Sequence, residues 1–293
     1  MKKPILITGS SGLVGKAITD QLDKQSLPWT AVHRSKERWD PEKGIFDPVL
    51  LDGHSIVIHL AGEPIAAGRW TDSQKKKIYE SRVKGTRAVA DAIANSQNKP
   101  ELMICASAIG FYGDRGEEVL HESSAPGEGF LPEVVKDWEA AVEPARVTGV
   151  RVVHLRLGIV LSPEGGALNK MLPPFKLGLG GKLGSGRMWM SWVHIDDVVQ
   201  AFLYVVSHQE LKGRFNLTAP SPARNTEFTK ILGAALSKPT IFPAPAFVIK
   251  LLLGEMGETL LLQSTRVLPT GLLAKGFRFR HPDLDAAMAD LMN

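Results

Sequence analysis

The sequence predicts an α/β fold, a doubly wound parallel sheet with a smaller C-terminal lobe. Three observations carry this. Short apolar runs alternate with longer amphipathic stretches through the first 160 residues. Those runs are continuously apolar, as strands covered by helices on both faces must be. The first of them, Ile5–Thr8, is followed at once by glycines at positions 9, 12 and 15, the spacing of a strand–turn–helix joint.

Taken in order, the predicted strands are Ile5–Thr8, Thr30–Arg34, Ile56–Leu60, Leu102–Ala106 and Val150–Leu155. Each is short and mostly aliphatic. The predicted helices are Leu13–Gln25, Ser73–Asn95 and Pro132–Thr148, where the sequence is amphipathic. Beyond residue 160 the alternation loosens. Gly178–Gly186 is rich in glycine and reads as a mobile loop near the strand ends. Trp189 and Trp192 follow it as expected walls of an apolar pocket. Pro239, Pro243 and Pro245 mark a junction, and a helical tail runs on from Phe247. The predicted division is a core over 1–160 and a lobe over 161–293, with the tail beginning near 240.

Each glycine of the first joint has a physical task. Gly9 permits a tight turn, Gly12 lets the backbone approach a pyrophosphate, and Gly15 lets the helix pack on the strand. The helix N-terminus then offers free N–H groups and a partial positive charge. Gly9, Ser10, Ser11, Gly12, Leu13, Val14 and Gly15 are therefore the predicted cradle of a dinucleotide, and the core is a predicted Rossmann fold. The second strand ends in His33-Arg34. A site for NAD wants a carboxylate there, whereas the Arg34 guanidinium meets a 2′-phosphate. His33 is placed to stack on the adenosine or bond near it. The predicted cofactor is NADP(H). The third strand runs into Leu60, Ala61, Gly62 and Glu63, a small-residue turn that lets the chain pass close to the cofactor. His59, just before it, reads as a packed residue.

Composition narrows the function classes. The 293 residues are 44% hydrophobic and 23% charged, an ordinary globular balance. No apolar run approaches the roughly 20 residues of a membrane helix. The nearest, Phe247–Leu253, is interrupted by Lys250. The net charge is +4 and the pI about 9.1. The basic residues are scattered, however, and the one tight run, Lys75–Lys77, sits on a predicted helix. This speaks against nucleic acid as the partner; the expected partner is an unidentified small-molecule substrate. A single cysteine, Cys105, excludes an internal disulfide and reads as core. The first strand starts with no room for a signal peptide. The expected setting is a reducing cytoplasm, with no membrane partner and no metal. The oligomeric state is not encoded in any feature of the sequence.

In combination these motifs resemble the extended short-chain dehydrogenase/reductases, which include nucleotide-sugar epimerases and dehydratases. The carriers are Thr8-Gly9 with Gly12 and Gly15, then Leu60-Ala61-Gly62, then Val193-His194-Ile195-Asp196-Asp197. Glu63, Ser81-Arg82, Asp137-Trp138-Glu139, the run 178–187 and the segment 268–277 resemble more closely their "epimerase family" branch. By that resemblance NADP contacts fall on residues 9–14, His33, Arg34, Leu60, Ala61, Arg82 and Arg156, with Gly62 and Glu63 completing the turn. Arg82 stands where extended members place Asn, and its rigid fork of donors suits a phosphate or ribose.

The reaction is less legible. Extended members use a Tyr-x-x-x-Lys pair. Here Tyr79, Tyr112 and Tyr204 are followed four residues on by Val83, Gly116 and His208. Aligned on Glu139, the positions of the pair hold Leu131 and Val135. Lys136 is one residue off, turned by about 100° around a helix. The hydroxyl expected before Tyr112-Gly113 is replaced by Ala108, with Ser107 beside it. Met190 stands where many sugar-nucleotide enzymes have arginine. Ser107 and Tyr112 are thus the expected proton-handling residues, with Glu63, Lys136 and His194 as further candidates. The function expected is an NADP(H)-binding oxidoreductase or epimerase-like protein. The competing expectation is a non-catalytic NADP(H) sensor or partner-docking protein.

Overall fold

The computed structural model describes residues 3–292. Its strands β1 (Ile5–Thr8), β2 (Trp29–Val32), β3 (Ile56–His59), β4 (Leu102–Ala108), β5 (Arg151–Leu157) and β6 (Gly213–Leu217) form one sheet in the order β6-β5-β4-β3-β1-β2. Every neighbouring pair is parallel. The principal helices are α1 (Leu13–Lys24), α2 (Asp72–Asn95), α3 (Phe130–Ala140), α4 (Glu143–Val147), α5 (Gly166–Lys176), α6 (Ile195–Ser207), α7 (Asn225–Ala235) and α8 (Ala246–Gly257).

Successive strand residues point to opposite faces, and the two faces bury different helices. Ile5, Ile7, Ile56 and Ile58 pack with Ile18 and Leu22 of α1 and Val198 and Phe202 of α6. Leu6, Val57, Met103 and Cys105 pack with Val89 and Ile93 of α2. The sheet is therefore doubly wound, as predicted. Its strand order reverses between β1 and β3, the switch point where open α/β sheets bind ligands.

Four expectations need correction. The sheet does not end near residue 160, because its sixth strand lies at 213–217 and pairs with β5. Polar Arg214 and Asn216 alternate along this edge strand, which hid it among the looser patterning. The lobe has its own core, built from Leu168, Leu172, Phe175, Trp192, Phe228 and Leu232, with Leu284 and Met288 of the closing helix. The expected helix 132–148 is two helices, α3 and α4, because Pro144 lacks the N–H that a continuous helix would use.

The glycine-rich stretch is strapped rather than loose. Leu183 N–H donates to Asn225 Oδ1 at 2.8 Å, Gly184 N–H to the Ala244 carbonyl at 2.8 Å, and Ala244 N–H to the Lys182 carbonyl at 2.9 Å. Trp192 is fully buried and donates its indole N–H to the Ser221 carbonyl, so it lines no pocket. Trp189 is half-buried and lies within about 4.5 Å of two guanidiniums, Arg224 at 4.4 Å and Arg266 at 4.3 Å from its ring centre.

Candidate functional site

The cradle forms where the β1 and β3 turns meet. Gly9 has φ +75°, and a Cβ placed there would lie 2.8 Å from the Ala61 nitrogen. Only glycine fits both demands. Gly12 N–H closes the turn on the Gly9 carbonyl at 3.1 Å. At Gly15 an added Cβ would lie 2.2 Å from the same carbonyl oxygen, so α1 packs against the turn without a side chain between them. Gly12 differs: it is exposed, and a Cβ there would meet nothing nearer than 3.4 Å. This is the open side.

Helix α1 begins at Gly12 with no side-chain cap. Its first-turn N–H groups thus lack the partner most helices provide, and an anion would satisfy them. Ser10 and Ser11 form the rim of this turn. Leu13 and Val14 are half-buried, and Val14 packs on the sheet core. At the tip of β2, His33 and Arg34 are exposed, and Arg34 has no ion-pair partner among the described residues. The uncapped N–H groups of α1 and the open side at Gly12 fit the pyrophosphate of a dinucleotide.

Arg82 of α2 reaches the turn after β3. Its Nη1 donates to the Glu63 carbonyl at 2.9 Å and to the Ile78 carbonyl at 3.2 Å, and its guanidinium lies over Gly62 and the Trp138 ring. Burial lowers its pKa to about 10 against the opposing charge of Glu63, which leaves it cationic at neutral pH. Leu60, Ala61, Gly62, Glu63 and Arg82 therefore do sit together, beside Gly9.

Arg156 does not join them. It is 1% exposed and is consumed by protein partners. Nε and Nη2 donate to the two Glu139 carboxylate oxygens at 2.7 and 2.8 Å, Nη1 donates to the Tyr112 hydroxyl at 2.9 Å, and the Phe111 ring lies 3.6 Å away. Its guanidinium forms a buried ion pair with Glu139. Glu139, read from the sequence only as a point of alignment, is the hub. It also accepts from the Ser107 hydroxyl at 2.7 Å and pairs with Arg214 at 2.6 Å. Burial opposes ionisation of Glu139, but the bonds and charge of Arg156 outweigh it and hold the carboxyl below its usual range.

The two expected proton-handling residues lie in the same network. Tyr112 is fully buried. Its hydroxyl is 2.7 Å from Asn216 Oδ1 and 3.0 Å from the His121 carbonyl. Asn216 Nδ2 donates to the Leu268 carbonyl, which fixes Oδ1 as the acceptor for Tyr112. Burial pushes the phenol up, against the opposing effect of Arg156. The Ser107 proton goes to Glu139. Both hydroxyls thus bond to partners within the protein. Nearby, Gly110 faces Leu131 and Val135 of α3, and Lys136 is exposed.

His59 is packed as expected, its ring nitrogens 2.7 Å from the Thr8 hydroxyl and 3.0 Å from the Thr86 hydroxyl. His194 caps α6, its Nδ1 accepting from Asp196 N–H at 3.1 Å. That bond places the proton of the neutral ring on Nε2, which faces Asp290 at 3.3 Å and stacks beside His281. A protonated Nε2 is no metal ligand, although these three residues cluster closely.

A parallel sheet with this strand order and this glycine cradle defines an NAD(P)-binding Rossmann protein. The chain belongs to the NAD dependent epimerase/dehydratase family, whose sequence profile matches residues 5–218. Residues 244–291 match a second family, a domain of unknown function (DUF1731). An epimerase family protein of Mycobacterium bovis is 38% identical over 97% of this chain and 96% of its own length. The crystal structure of human epimerase family protein SDR39U1 with NADPH superposes with a TM-score of 0.90, at 31% identity and 99% coverage of both chains. A nucleoside-diphosphate sugar epimerase from Corynebacterium glutamicum gives a TM-score of 0.81 at 37% identity, covering all of this chain and 58% of that one. No helix among the described residues is long and apolar enough to cross a membrane.

Proposed function

We propose that the chain is an NADP(H)-binding oxidoreductase or epimerase-like protein of the extended short-chain dehydrogenase/reductase type. It acts on a small molecule without a tyrosine–lysine pair. The observation that carries this reading is Arg34, exposed and without an ion pair among the described residues at the tip of β2, beside an uncapped helix N-terminus. A 2′-phosphate there meets a charged fork of donors, while a ribose diol finds no carboxylate to grip it. The NADPH held by the human relative supports the same choice.

The nicotinamide supplies hydride transfer when bound. The first turn of α1 binds the pyrophosphate, and Arg82 holds the segment after β3 against the cofactor. Ser107, Glu139, Arg156 and Tyr112 support the end of β4 from within.

One observation favours a second reading, a non-catalytic NADP(H) sensor or partner-docking protein. The α3 face toward Gly110 is Leu131 and Val135, and neither side chain moves a proton. A screen of NADPH oxidation and NADP+ reduction over aldehydes, ketones and sugar nucleotides separates the two. Substrate-dependent turnover supports the first reading. Tight NADPH binding with no turnover supports the second.

A further inference from the structure

The apolar residues left on the surface are not evenly spread. Leu177, Leu179, Ile241, Phe242, Phe247 and Leu251 are each more than half exposed, Leu177 reaching 75% and Leu251 72%. They are far apart in sequence but adjacent in space. Phe242 N–H donates to the Gly180 carbonyl at 3.3 Å, and Leu183 bridges to Ala244. Gly178 abuts Pro239, and Gly184 abuts Ala246 at the start of α8. The loop after α5, the segment before α8 and α8 itself therefore present one apolar ridge.

The charge around the ridge is mostly positive. Residues 165–182 and 226–258 carry Lys170, Lys176, Lys182, Lys230, Lys238 and Lys250 against three carboxylates, Glu227, Glu255 and Glu258. Glu255 is taken up by Lys75. Lys250 pairs with Glu258 and Lys170 bonds the Ala66 carbonyl. The other four lysines are exposed and have no ion pair among the described residues. Beside the ridge lies a cleft of about 260 Å³ lined by Lys182, Lys230, Thr226, Thr229, Thr240 and Ile241. Thr229 is 3% exposed and its hydroxyl has no hydrogen-bond partner among the described residues.

We propose that this face docks on an anionic phospholipid surface. The aliphatic and aromatic ridge enters the boundary between headgroups and acyl chains, and the lysines meet the phosphates. The cleft takes one headgroup phosphate between Lys182 and Lys230. A second copy of the chain is a poor occupant, because a two-fold contact would set these lysines against one another. In the linear sequence Lys250 interrupts an apolar run and argues against a membrane span. In the folded chain the same lysine lies on the exposed side of α8 with Phe247 and Leu251 and pairs with Glu258, so its stem covers apolar surface while its ammonium stays in water.

The test is flotation of the full chain with vesicles of phosphatidylcholine alone or with phosphatidylserine added. The expected result is binding to the anionic vesicles only, weakened by salt. Lys182→Glu with Lys230→Glu, and separately Phe247→Glu with Leu251→Glu, should each lower that binding by more than about tenfold. All four positions are at the surface, so melting temperature and NADPH affinity are expected to stay unchanged. Absence of binding to either vesicle overturns the proposal, and so does equal binding to neutral vesicles. Dimerisation abolished by Phe247→Glu, with no vesicle binding, also overturns it.

Discussion

Arg156 and Glu139 form a two-pronged ion pair inside the molecule, with Nε to Oε1 at 2.7 Å and Nη2 to Oε2 at 2.8 Å. Each side chain is only 2% exposed. Breaking such a pair from one side leaves a buried charge with no partner, which costs about 3–5 kcal/mol. Glu139→Ala is therefore expected to lose that much stability in urea denaturation. Arg214, which also pairs with Glu139, is half-exposed and regains solvation, so Arg214→Ala should cost much less.

Tyr112 and Ser107 offer a sharper test of role. A catalytic acid removed from an active site typically lowers turnover by about 10²–10⁴-fold. The buried placement predicts a different outcome for Tyr112→Phe with Ser107→Ala. The loss should appear as stability, about 1–3 kcal/mol for each bonding partner left unsatisfied, with NADPH affinity unchanged. Parallel measurement of melting and of any turnover found separates the two outcomes.

Acid should weaken the fold through two buried histidines. Burial lowers the pKa of His59 to about 4 and of His154 to about 4, the latter against the opposing charge of Glu139. The unfolded chain takes up these protons first, as pH falls below its value of 6.5. Stability is thus full above that pH, declines between about 6.5 and 4, and is lost no further through these groups below 4. Each contributes about 3 kcal/mol across that window. Urea midpoints from pH 8 to 4 should fall, and His59→Gln should flatten the slope.

The cradle predicts a contrast between two glycines. A Cβ at Gly15 would collide with the Gly9 carbonyl at 2.2 Å, whereas one at Gly68 would meet nothing within 4 Å. Gly15→Ala should weaken NADPH binding severely, because the α1 N-terminus must move away from the turn. Gly68→Ala should leave melting temperature unchanged. Calorimetric titration and thermal melts check both.

These residues also show what a sequence displays and what it hides. Ile5–Thr8 and Ile56–His59 were legible because strands buried on both faces are continuous apolar runs. The edge strand Gly213–Leu217 was not, because Arg214 and Asn216 alternate with Phe215 and Leu217. Those two polar residues do structural work, one reaching Glu139 and the other Tyr112. Gly9, Gly15 and Leu60–Glu63 were legible because the tight approach of two turns restricts residue type locally. The pairing of Arg156 with Glu139 was not legible, because a cation in sequence carries no sign of its partner. That partner lies on another element, and burial is set only when β5 and α3 pack. Trp192 failed for the same reason, since an indole next to a loop reads alike whether it lines a pocket or fills a core.

Paired affinities decide whether Arg34 selects NADPH over NADH. Dissociation constants for NADPH and NADH should be measured by fluorescence or calorimetry on the unmodified protein and on Arg34→Glu. The exposed guanidinium and the absence of a carboxylate at the tip of β2 predict NADPH binding well over tenfold tighter than NADH, since a charged hydrogen bond contributes about 1.5–3 kcal/mol. Arg34→Glu should erase that preference while leaving NADH affinity little changed. Equal affinity for the two cofactors in the unmodified protein, or a preference that survives the substitution, would contradict the account.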